Sequence, residues 1–523
     1  MAGWSEAPMD RHQVALFSPT LDSMIGEDHP VRLFDELLSL CDWSAWENHY
    51  VQVHGQPPIH PRIIAGVILY GLSRGIRSSR ALEYMLASNV DFMWLSSGRR
   101  IDHSTICGFR TRFGRELKAL FRDVFRIALR AGLARLECVA LDATRVKANS
   151  SRHRTTTSET LEQRLSALDE QIDRMIQESE EADAQETDLF GQATPNRLPK
   201  ELADLKRRQA RLRKAMAAAK SKDTSASSEP KAKTKRPRVA VADPDSTVQP
   251  NKEGGYAPNY TPMATTEDEG GFIAVPEVLA GAEEAHQATA TIDRIEEDFG
   301  QRPQRLLADS SYDRGQTLAD LASREVEAFI PLQQRPTGPD NPARRDDPAE
   351  PVKEEDWAQL PRNARTKRLD RSAFVYDEQA DCYYCPMGRT LRFRQMGSKL
   401  RRTGTVRYRM YQCDRCVGCP LYEQCVSSKT GKRTVTRDEH EVHREAMDRR
   451  LGSAHGREVY RHRRWIAETP FAVLKERMGL RQFLLRGLGK VKIEWLWACT
   501  AFNLAKLVGK VAAAPSALPA AQS

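Results

Sequence analysis

The sequence predicts an α/β fold. A mixed sheet forms the core, an all-α domain precedes it, a helical hairpin is inserted into it, and a small cysteine-rich module follows. Three observations predict this organisation: apolar strand-like runs alternate with helical patterns, two heptad segments interrupt the alternation, and six of the ten cysteines lie between Cys382 and Cys425. A length of 523 residues is enough for about three structural units.

The first element is a helical N-terminal domain over residues 1–132. Residues 63–72 form an apolar block that Gly75 closes, and Asp102 or Ser104 can cap a later helix. Apolar residues of that helix recur every three or four positions, as on one buried face: Ile106, Phe109, Phe113, Leu117, Leu120, Phe121 and Phe125. A helix-turn-helix on DNA and a plain helical bundle both fit the arginines between the helices, which are Arg74, Arg77, Arg80, Arg99 and Arg100.

A mixed sheet follows, within the first part of the core at residues 133–333. Residues 136–141 form a compact apolar run that is typical of a buried strand. Further strands are predicted at residues 260–266, 272–279, 305–308 and 326–331, with a helix at residues 282–299.

Two of these strands lead directly into an aspartate. Asp142 follows the first strand, and Asp309 follows the strand at residues 305–308. If the two strands are neighbours, both carboxylates lie at one edge of the sheet, where ligands of α/β folds bind. An aspartate after a strand is also a common turn or cap residue, so each of them alone has a structural explanation.

A helical hairpin over residues 158–218 is inserted into the core. Pro195 and Pro199 lie between two short heptad segments, which indicates antiparallel coiled-coil helices. Residues 219–238 are rich in Ala, Lys, Ser and Pro and are predicted to be a flexible linker. The apolar positions are Leu161, Leu165, Leu168, Ile172 and Met175, then Leu202, Leu205, Leu212 and Met216.

The cysteine-rich module spans residues 373–430 and follows a predicted polar linker at residues 334–372. Its Cys-x₂-Cys pairs have the spacing of tetrahedral Zn²⁺ sites, and crowding into one region argues against a disulfide framework. Four ligands are sufficient for one structural Zn²⁺, so two cysteines are in surplus. The preferred set is Cys382, Cys385, Cys413 and Cys416, with Cys419 and Cys425 as alternates.

The C-terminal part has helices at residues 431–510 that complete the core and a disordered tail at residues 511–523. The net charge of +9 is unevenly distributed. Residues 386–415 hold nine basic and one acidic side chain, residues 457–492 hold ten and three, and the remainder therefore carries −6. Two basic stretches of this kind favour a nucleic acid partner. No apolar run is long enough for a membrane helix, and the unpaired cysteines suit a reducing cytoplasm.

Four sequence motifs together are similar to one family. They are DHSTI at residues 102–106, LDATRVKANS at residues 141–150, LADSSYD at residues 307–313, and the series Tyr460, Arg464, Glu468 and Lys475. The chain resembles bacterial insertion-sequence transposases of the DDE class, close to the branch with an InsH-type N-terminal helical domain. The resemblance implies an RNase H-like catalytic core. It also implies a Tyr-Arg-Glu-Lys signature with six residues between Glu and Lys.

By that resemblance, Asp142, Asp309 and Glu468 are the catalytic triad that binds two Mg²⁺ (or Mn²⁺) ions. Three carboxylates can hold two hard cations beside a phosphodiester. The DNA-binding residues are then expected to be Tyr460, Arg464, Lys475, Arg481 and Arg486. Arg464, Glu468 and Lys475 share one face if the segment is a single helix, although Pro470 leaves a kink or a new helix as alternatives.

The function implied is DNA cleavage at the terminal inverted repeats of a mobile element, followed by strand transfer into target DNA. We expect a homodimer or higher oligomer on DNA, in the bacterial cytoplasm and associated with the nucleoid when bound to DNA. Two alternatives remain: an RNase H-like DNA nuclease without strand transfer, and a catalytically idle DNA-binding protein derived from a transposase.

Overall fold

The computed structural model describes residues 19–50, 57–190, 200–227, 237–250, 254–281, 284–333, 341–401, 404–426 and 431–514. The start of the predicted N-terminal domain, the prolines between the heptad segments and most of the predicted tail lie outside these ranges. No helix among the described residues is both long and apolar enough to cross a membrane.

The described part of the N-terminal region contains seven helices: α1 Pro30–Ser39, α2 Ser44–Glu47, α3 Pro61–Ser73, α4 Ser79–Ser88, α5 Val90–Leu95, α6 His103–Arg112 and α7 Gly114–Arg130. Asp102 caps α6 by accepting a hydrogen bond from the backbone N–H of Ser104. The apolar pattern predicted as one helix is two, because the backbone leaves the helical region at Phe113 before α7 begins. Both helices bury that apolar face.

The next segment has β1 Cys138–Ala143, β2 Val146–Lys147, β3 Thr155–Thr156, α8 Ser158–Phe190, α9 Lys200–Ser227, β4 Val239–Ala240, β5 Thr247–Pro250, β6 Tyr256–Glu267, β7 Ile273–Leu279, α10 Gln287–Phe299, β8 Arg305–Leu307, α11 Gly315–Ser323 and β9 Glu327–Phe329. The main sheet runs β7, β6, β1, β8, β9 across its width. β7, β6 and β1 are antiparallel, and β8 and β9 run parallel to β1. β2 and β5 pair with the other end of β6.

The predicted helical hairpin is α8 and α9, which pack along each other through the heptad leucines. β3 pairs antiparallel with β4 where the insertion leaves and rejoins the core. The linker predicted from residue 219 is wrong at its start, because α9 continues to Ser227. Ala217, Ala218 and Ala219 explain this continuation, since alanine has the highest helix propensity.

A second sheet forms the cysteine-rich module. It contains β10 Val375–Asp377, β11 Cys382–Tyr384, β12 Thr390–Arg401, β13 Gly404–Cys413 and β14 Thr434–Asp438, all antiparallel in this order, with the short helix α12 Tyr422–Cys425. β14 extends the module beyond residue 430. The polar linker is also corrected, since Ala343, Val352, Leu360 and Leu369 are buried in the module's core. These apolar residues are widely spaced, so they give no recognisable period.

The C-terminal helices are α13 Glu441–Gly452, α14 Ala454–Ala472 and α15 Leu488–Ala513. Pro470 lies inside α14, which continues through it and widens into a π-turn at Val473–Arg477. α15 packs on α1, α3 and α7 as well as on β7, and one hydrophobic core includes all of them. The N-terminal helices are therefore not a separate domain in packing terms.

Gly75 lies where the N-terminal helical region contacts the segment after α14. Its φ of +79° is in the left-handed region that glycine adopts without cost. A Cβ there would lie 2.8 Å from the carbonyl oxygen of Arg477. Next to it, Arg77 donates to the carbonyls of Gly479 and Gln482, both at 2.6 Å. Arg77 therefore joins the helical region to the segment after α14, and its guanidinium is not available to DNA in this arrangement.

Candidate active site

The first two predicted acids lie at one edge of the main sheet. β1 and β8 are parallel, with Ala140 opposite Leu307. Asp142 and Asp309 each come two residues after that pair, so their backbones reach the same edge. Both accept local hydrogen bonds: Ala143 N donates to Asp142 Oδ1 at 2.9 Å, and Ser311 N to Asp309 Oδ1 at 2.8 Å. The sheet thus brings together two residues that are 167 positions apart in the sequence.

Glu468 approaches this edge from α14. The helix packs on the sheet through Ile466 and Ala467, which contact the apolar side chains of β1, β8 and β9. Burial raises the pKa of Asp142, and the carboxylates of Asp309 and Glu468 raise it further, which places all three acids within electrostatic range. Glu468 itself remains half-exposed and pairs with Arg464, whose Nε lies 3.4 Å from Oε2.

Arg463, which sequence reasoning missed, is the arginine of this site. Its guanidinium lies 3.3 Å from Asp142 Oδ1 and only 13% of its side chain is exposed, whereas the adjacent Arg464 is 85% exposed. Arg463 opposes the upward shift in the pKa of Asp142. Tyr460 is partly buried one helical turn earlier. Burial raises its pKa, and Arg463 opposes part of this rise. The helical spacing of Arg463 with the buried Ile466, Ala467 and Pro470 was the available signal.

A fourth carboxylate, Glu284, also lies here. It lies three residues before the start of α10. Ser311 Oγ is 3.5 Å from its Oε2 and also donates to Asp309 Oδ1. Burial raises the pKa of Glu284 to about 7, with contributions from Asp309 and Asp142. Tyr312 is fully buried beside these acids, and burial and the same carboxylates raise its pKa. Its hydroxyl has no hydrogen-bond partner within the described ranges.

The other predicted DNA-binding residues have different environments. Lys475 Nζ contacts Thr144 Oγ1, two residues beyond Asp142. Arg481 is exposed and pairs with Glu476. Arg486 Nε donates to the carbonyl of Asn149 at 2.9 Å, so it also holds the segment after β2. The predicted common helical face of Arg464, Glu468 and Lys475 assumed a single α-helix, and the π-turn at Val473–Arg477 changes the helical spacing before Lys475.

One exposed aromatic residue accompanies this group. Trp465 is 74% exposed on α14, between Arg464 and the helix face that contacts the sheet. An exposed tryptophan beside arginines is a suitable platform for stacking on a nucleic acid base. The sequence analysis did not select it, although its position three residues before Glu468 was visible in the sequence.

In the cysteine-rich module, five of the six cysteines share one hydrophobic core and one does not. Cys385, Cys413, Cys416, Cys419 and Cys425 belong to the module's hydrophobic core, and Cys382 does not. Burial raises the pKa of Cys425 to about 12, and the neighbouring thiols of Cys385, Cys416 and Cys419 also raise it. Backbone N–H groups of Arg389 and Arg433 donate to the sulfurs of Cys385 and Cys416, each at 3.3 Å. Cys382 instead lies among Asp377, Asp381 and Arg392.

The donor sets can be compared with what metal ions require. Among the described residues, one group of three has its ligand atoms mutually within 4.8 Å, and it is the solvent-accessible Glu83, Asp102 and His103 in the helical region. Within the described ranges, neither the three predicted acids nor any three of the six cysteines come that close together. A two-ion site can accommodate acids that are further apart, since the ions themselves are about 3.5–4 Å apart and different acids can bind different ions. Oxygen donors with surplus negative charge fit hard divalent cations.

Comparisons with known families agree with this architecture. A family model described as a transposase DDE domain matches residues 384–508, which include Glu468. A second, described as a transposase domain (DUF772), matches residues 19–112. Asp142 and Asp309 lie outside both matches. A search of curated proteins finds no match.

Both matches are to transposase domains, and they support a transposase function in general. More particularly, they indicate an insertion-sequence transposase of the DDE class, which confirms the resemblance found in the sequence. A DDE domain implies an RNase H-like core, the use of a divalent metal ion and action on DNA. The mixed sheet with its helical N-terminal region is consistent with that core.

Proposed function

We propose that this protein cleaves DNA at the inverted repeats of its mobile element and transfers the ends into target DNA, with Asp142, Asp309 and Glu468 holding two Mg²⁺ (or Mn²⁺) ions. The observation that carries the proposal is the matched register of β1 and β8, which presents two aspartates at one sheet edge facing Glu468 on α14. When bound, two such ions neutralise phosphate charge and supply an activated oxygen nucleophile.

In this proposal, the protein's own residues orient the two aspartates and exclude water from the base of the site. Asp142 is oriented by Ala143 N and Arg463, and Asp309 by Ser311, so neither carboxylate can rotate freely. Arg463 partly neutralises Asp142 before metal binds and thereby limits the repulsion among the acids. Apolar packing of Ile466 and Ala467 against the sheet keeps water from the base of the site.

Contacts with DNA come from the exposed side of the same helix in this proposal. Arg464 binds phosphate and Trp465 stacks on a base, while Lys475 approaches the strand near Thr144. Tyr460, Arg481 and Arg486 stay as proposed DNA contacts. Such phosphate contacts fix the register of the strand without reading its sequence.

The β12–β13 ribbon is a second proposed DNA surface. It extends beyond β14, which pairs only with residues 408–412. Its exposed positions include Arg392, Arg394, Lys399 and Arg407, and Leu400 is 81% exposed at the far part. A two-stranded ribbon can enter the major groove. Tyr411, an aromatic residue on β13, is not part of the proposed DNA surface, because it is buried and donates to Asp381 Oδ1.

For the structural Zn²⁺, the proposed ligands become Cys385, Cys416, Cys419 and Cys425. Cys425 is in electrostatic range of the other three, and backbone N–H groups donate to the sulfurs of Cys385 and Cys416. Four cysteine sulfurs are sufficient for one structural Zn²⁺. Cys413 is close to Cys385 and Cys416 and is the remaining alternate. The position of Cys382 outside this cluster disfavours the original set.

In the same proposal, the helical N-terminal region recognises the ends of the mobile element. The protein assembles on DNA as a homodimer or a higher oligomer. The alternatives, a nuclease without strand transfer and an idle DNA-binding derivative, predict different products. Only a transposase yields end DNA joined to a target plasmid.

The test is Mg²⁺-dependent cleavage and joining of end DNA by the full chain. Asp309→Asn should reduce both by about a thousandfold or more, since metal catalysis supplies several kcal/mol, and should leave DNA affinity unchanged. The matched control is Asp346→Asn at an exposed position of the cysteine-rich module. Retained cleavage in Asp309→Asn and Asp142→Asn would reject the triad, and cleavage without joining would favour the nuclease.

A further inference from the structure

Glu284 has a position that the protein fixes from two directions. Its carbonyl accepts a hydrogen bond from Gln287 N at 2.8 Å, at the start of α10. The next residue, Ala285, is buried and its carbonyl accepts from Thr317 Oγ1 on α11 at 3.2 Å. Two helices therefore hold this short segment against the edge of the sheet where Asp309 lies.

The carboxyl group of Glu284 is adjacent to that of Asp309. The Ser311 hydroxyl lies 3.5 Å from Glu284 Oε2 and donates to Asp309 Oδ1. One hydroxyl proton can serve only one acceptor at a time, so the second carboxyl group lacks a full hydrogen bond from it. Nothing in this contact explains why two acids should be held so close together.

No cation forms an ion pair with either acid within the described ranges, although Arg145 lies near enough to Glu284 to oppose the rise in its pKa. In the parts of the chain that the structure describes, neither Asp309 nor Glu284 has a lysine or arginine nitrogen within 4.0 Å, whereas Asp142 has Arg463. Tyr312, the residue after Ser311, is fully buried, and its hydroxyl has no partner in the same described parts. Buried polar groups are almost always satisfied, so an unfilled hydroxyl beside unpaired acids points to a bound group.

We propose that Glu284 is a fourth carboxylate of the divalent-metal site, acting on the side of Asp309, and that the Tyr312 hydroxyl bonds to a water of the bound cation. The inference rests on the proposed function in that Asp142 and Asp309 hold metal. Hard cations take oxygen ligands and retain waters, which matches this set of donors. Glu284 would add one negative charge and one ligand to a triad that alone leaves many coordination positions to solvent.

The experiment measures Mn²⁺ binding to the full chain without DNA, by isothermal titration calorimetry and by electron paramagnetic resonance of the free ion. Glu284→Gln keeps the shape and removes the charge, and we expect Mn²⁺ affinity to fall at least about tenfold. Glu297→Gln, an exposed glutamate on α10, is the matched control and should bind as the wild type does. Tyr312→Phe should weaken binding by a smaller factor.

Asp309→Asn separates this inference from the proposed function. If Asp309→Asn loses Mn²⁺ and Glu284→Gln does not, the inference is overturned and the triad stands. If neither variant changes Mn²⁺ binding, both the inference about Glu284 and the proposed metal site are overturned. Melting temperature without metal checks folding: Glu284→Gln should match or exceed the wild type, since a like charge is removed. If it instead unfolds, Glu284→Asp takes its place, and wild-type Mn²⁺ affinity in that variant would equally overturn the inference.

Discussion

The acidic edge of the main sheet and the cysteine cluster of the second sheet both gather metal-ligating side chains, but they assemble them in opposite ways. The acids come from residues 142, 284, 309 and 468, and they meet only when the whole core is folded. The cysteines lie within residues 385–425 of one small module. In the proposed function, the acidic edge therefore requires the folded core before it can hold a cation, whereas the cysteines come from one local segment, so a cation could bind them as the module folds.

The largest expected effect tests this difference through stability. Cys425→Ser should remove zinc and unfold the module, because structural zinc contributes folding free energy directly. Asp309→Asn should leave the fold intact, since it removes a charge from a crowded acidic edge. Zinc content by mass spectrometry and limited proteolysis of residues 341–438 measure the two outcomes. A folded, metal-free Cys425→Ser module would contradict the comparison.

A second prediction concerns how the acids are held. Arg463→Gln should lower the single-turnover cleavage rate about 10–100-fold, the usual cost of losing a partner that orients a metal ligand. Arg461→Gln, on the same helix and exposed, is the control and should change that rate less than tenfold, because a surface ion pair contributes little. Equal losses in both variants would show that the helix face was assigned wrongly.

A third prediction asks whether the module also serves DNA. Replacing Arg394 and Lys399 on the ribbon by alanine should weaken DNA binding several-fold and lower the salt dependence by about two phosphate contacts. Lys353→Ala with Arg365→Ala removes the same charge from exposed positions away from the ribbon. Fluorescence anisotropy across a salt series compares the pairs. An unchanged slope in the ribbon variant would limit the module to a structural role.

The smallest expected effect is that of Cys382→Ser. Cys382 lies outside the group of five thiols, so zinc content and melting temperature should equal those of the wild type. Comparison with Cys385→Ser, three residues later, sharpens the assignment of the ligands. Loss of zinc from Cys382→Ser would restore the set that the spacing alone suggested.

Local patterns predicted much of the fold because they reflect local physics. The apolar run before Asp142 predicts a buried strand, and the heptad leucines predict packed helices, whatever the rest of the chain does. What failed depends on long-range packing. The sequence alone does not show which of Arg463 and Arg464 faces the site, because this depends on which face of α14 packs on the sheet. Glu284 becomes a candidate ligand only because the fold places it beside Asp309. Cys382 satisfies the spacing of a zinc ligand, but strand alternation turns it away from the others.

The burial of α15 against α3 and α7 affects the order of events at the ribosome. α7 ends at Arg130 and α15 begins at Leu488, so roughly 20–70 s of synthesis separates them at about 5–20 residues per second. During that time the apolar faces of the first helices lack their main covering element. A nascent or prematurely terminated chain would expose them to chaperones and proteases, so translation must reach the C-terminal helix before the N-terminal region can mature.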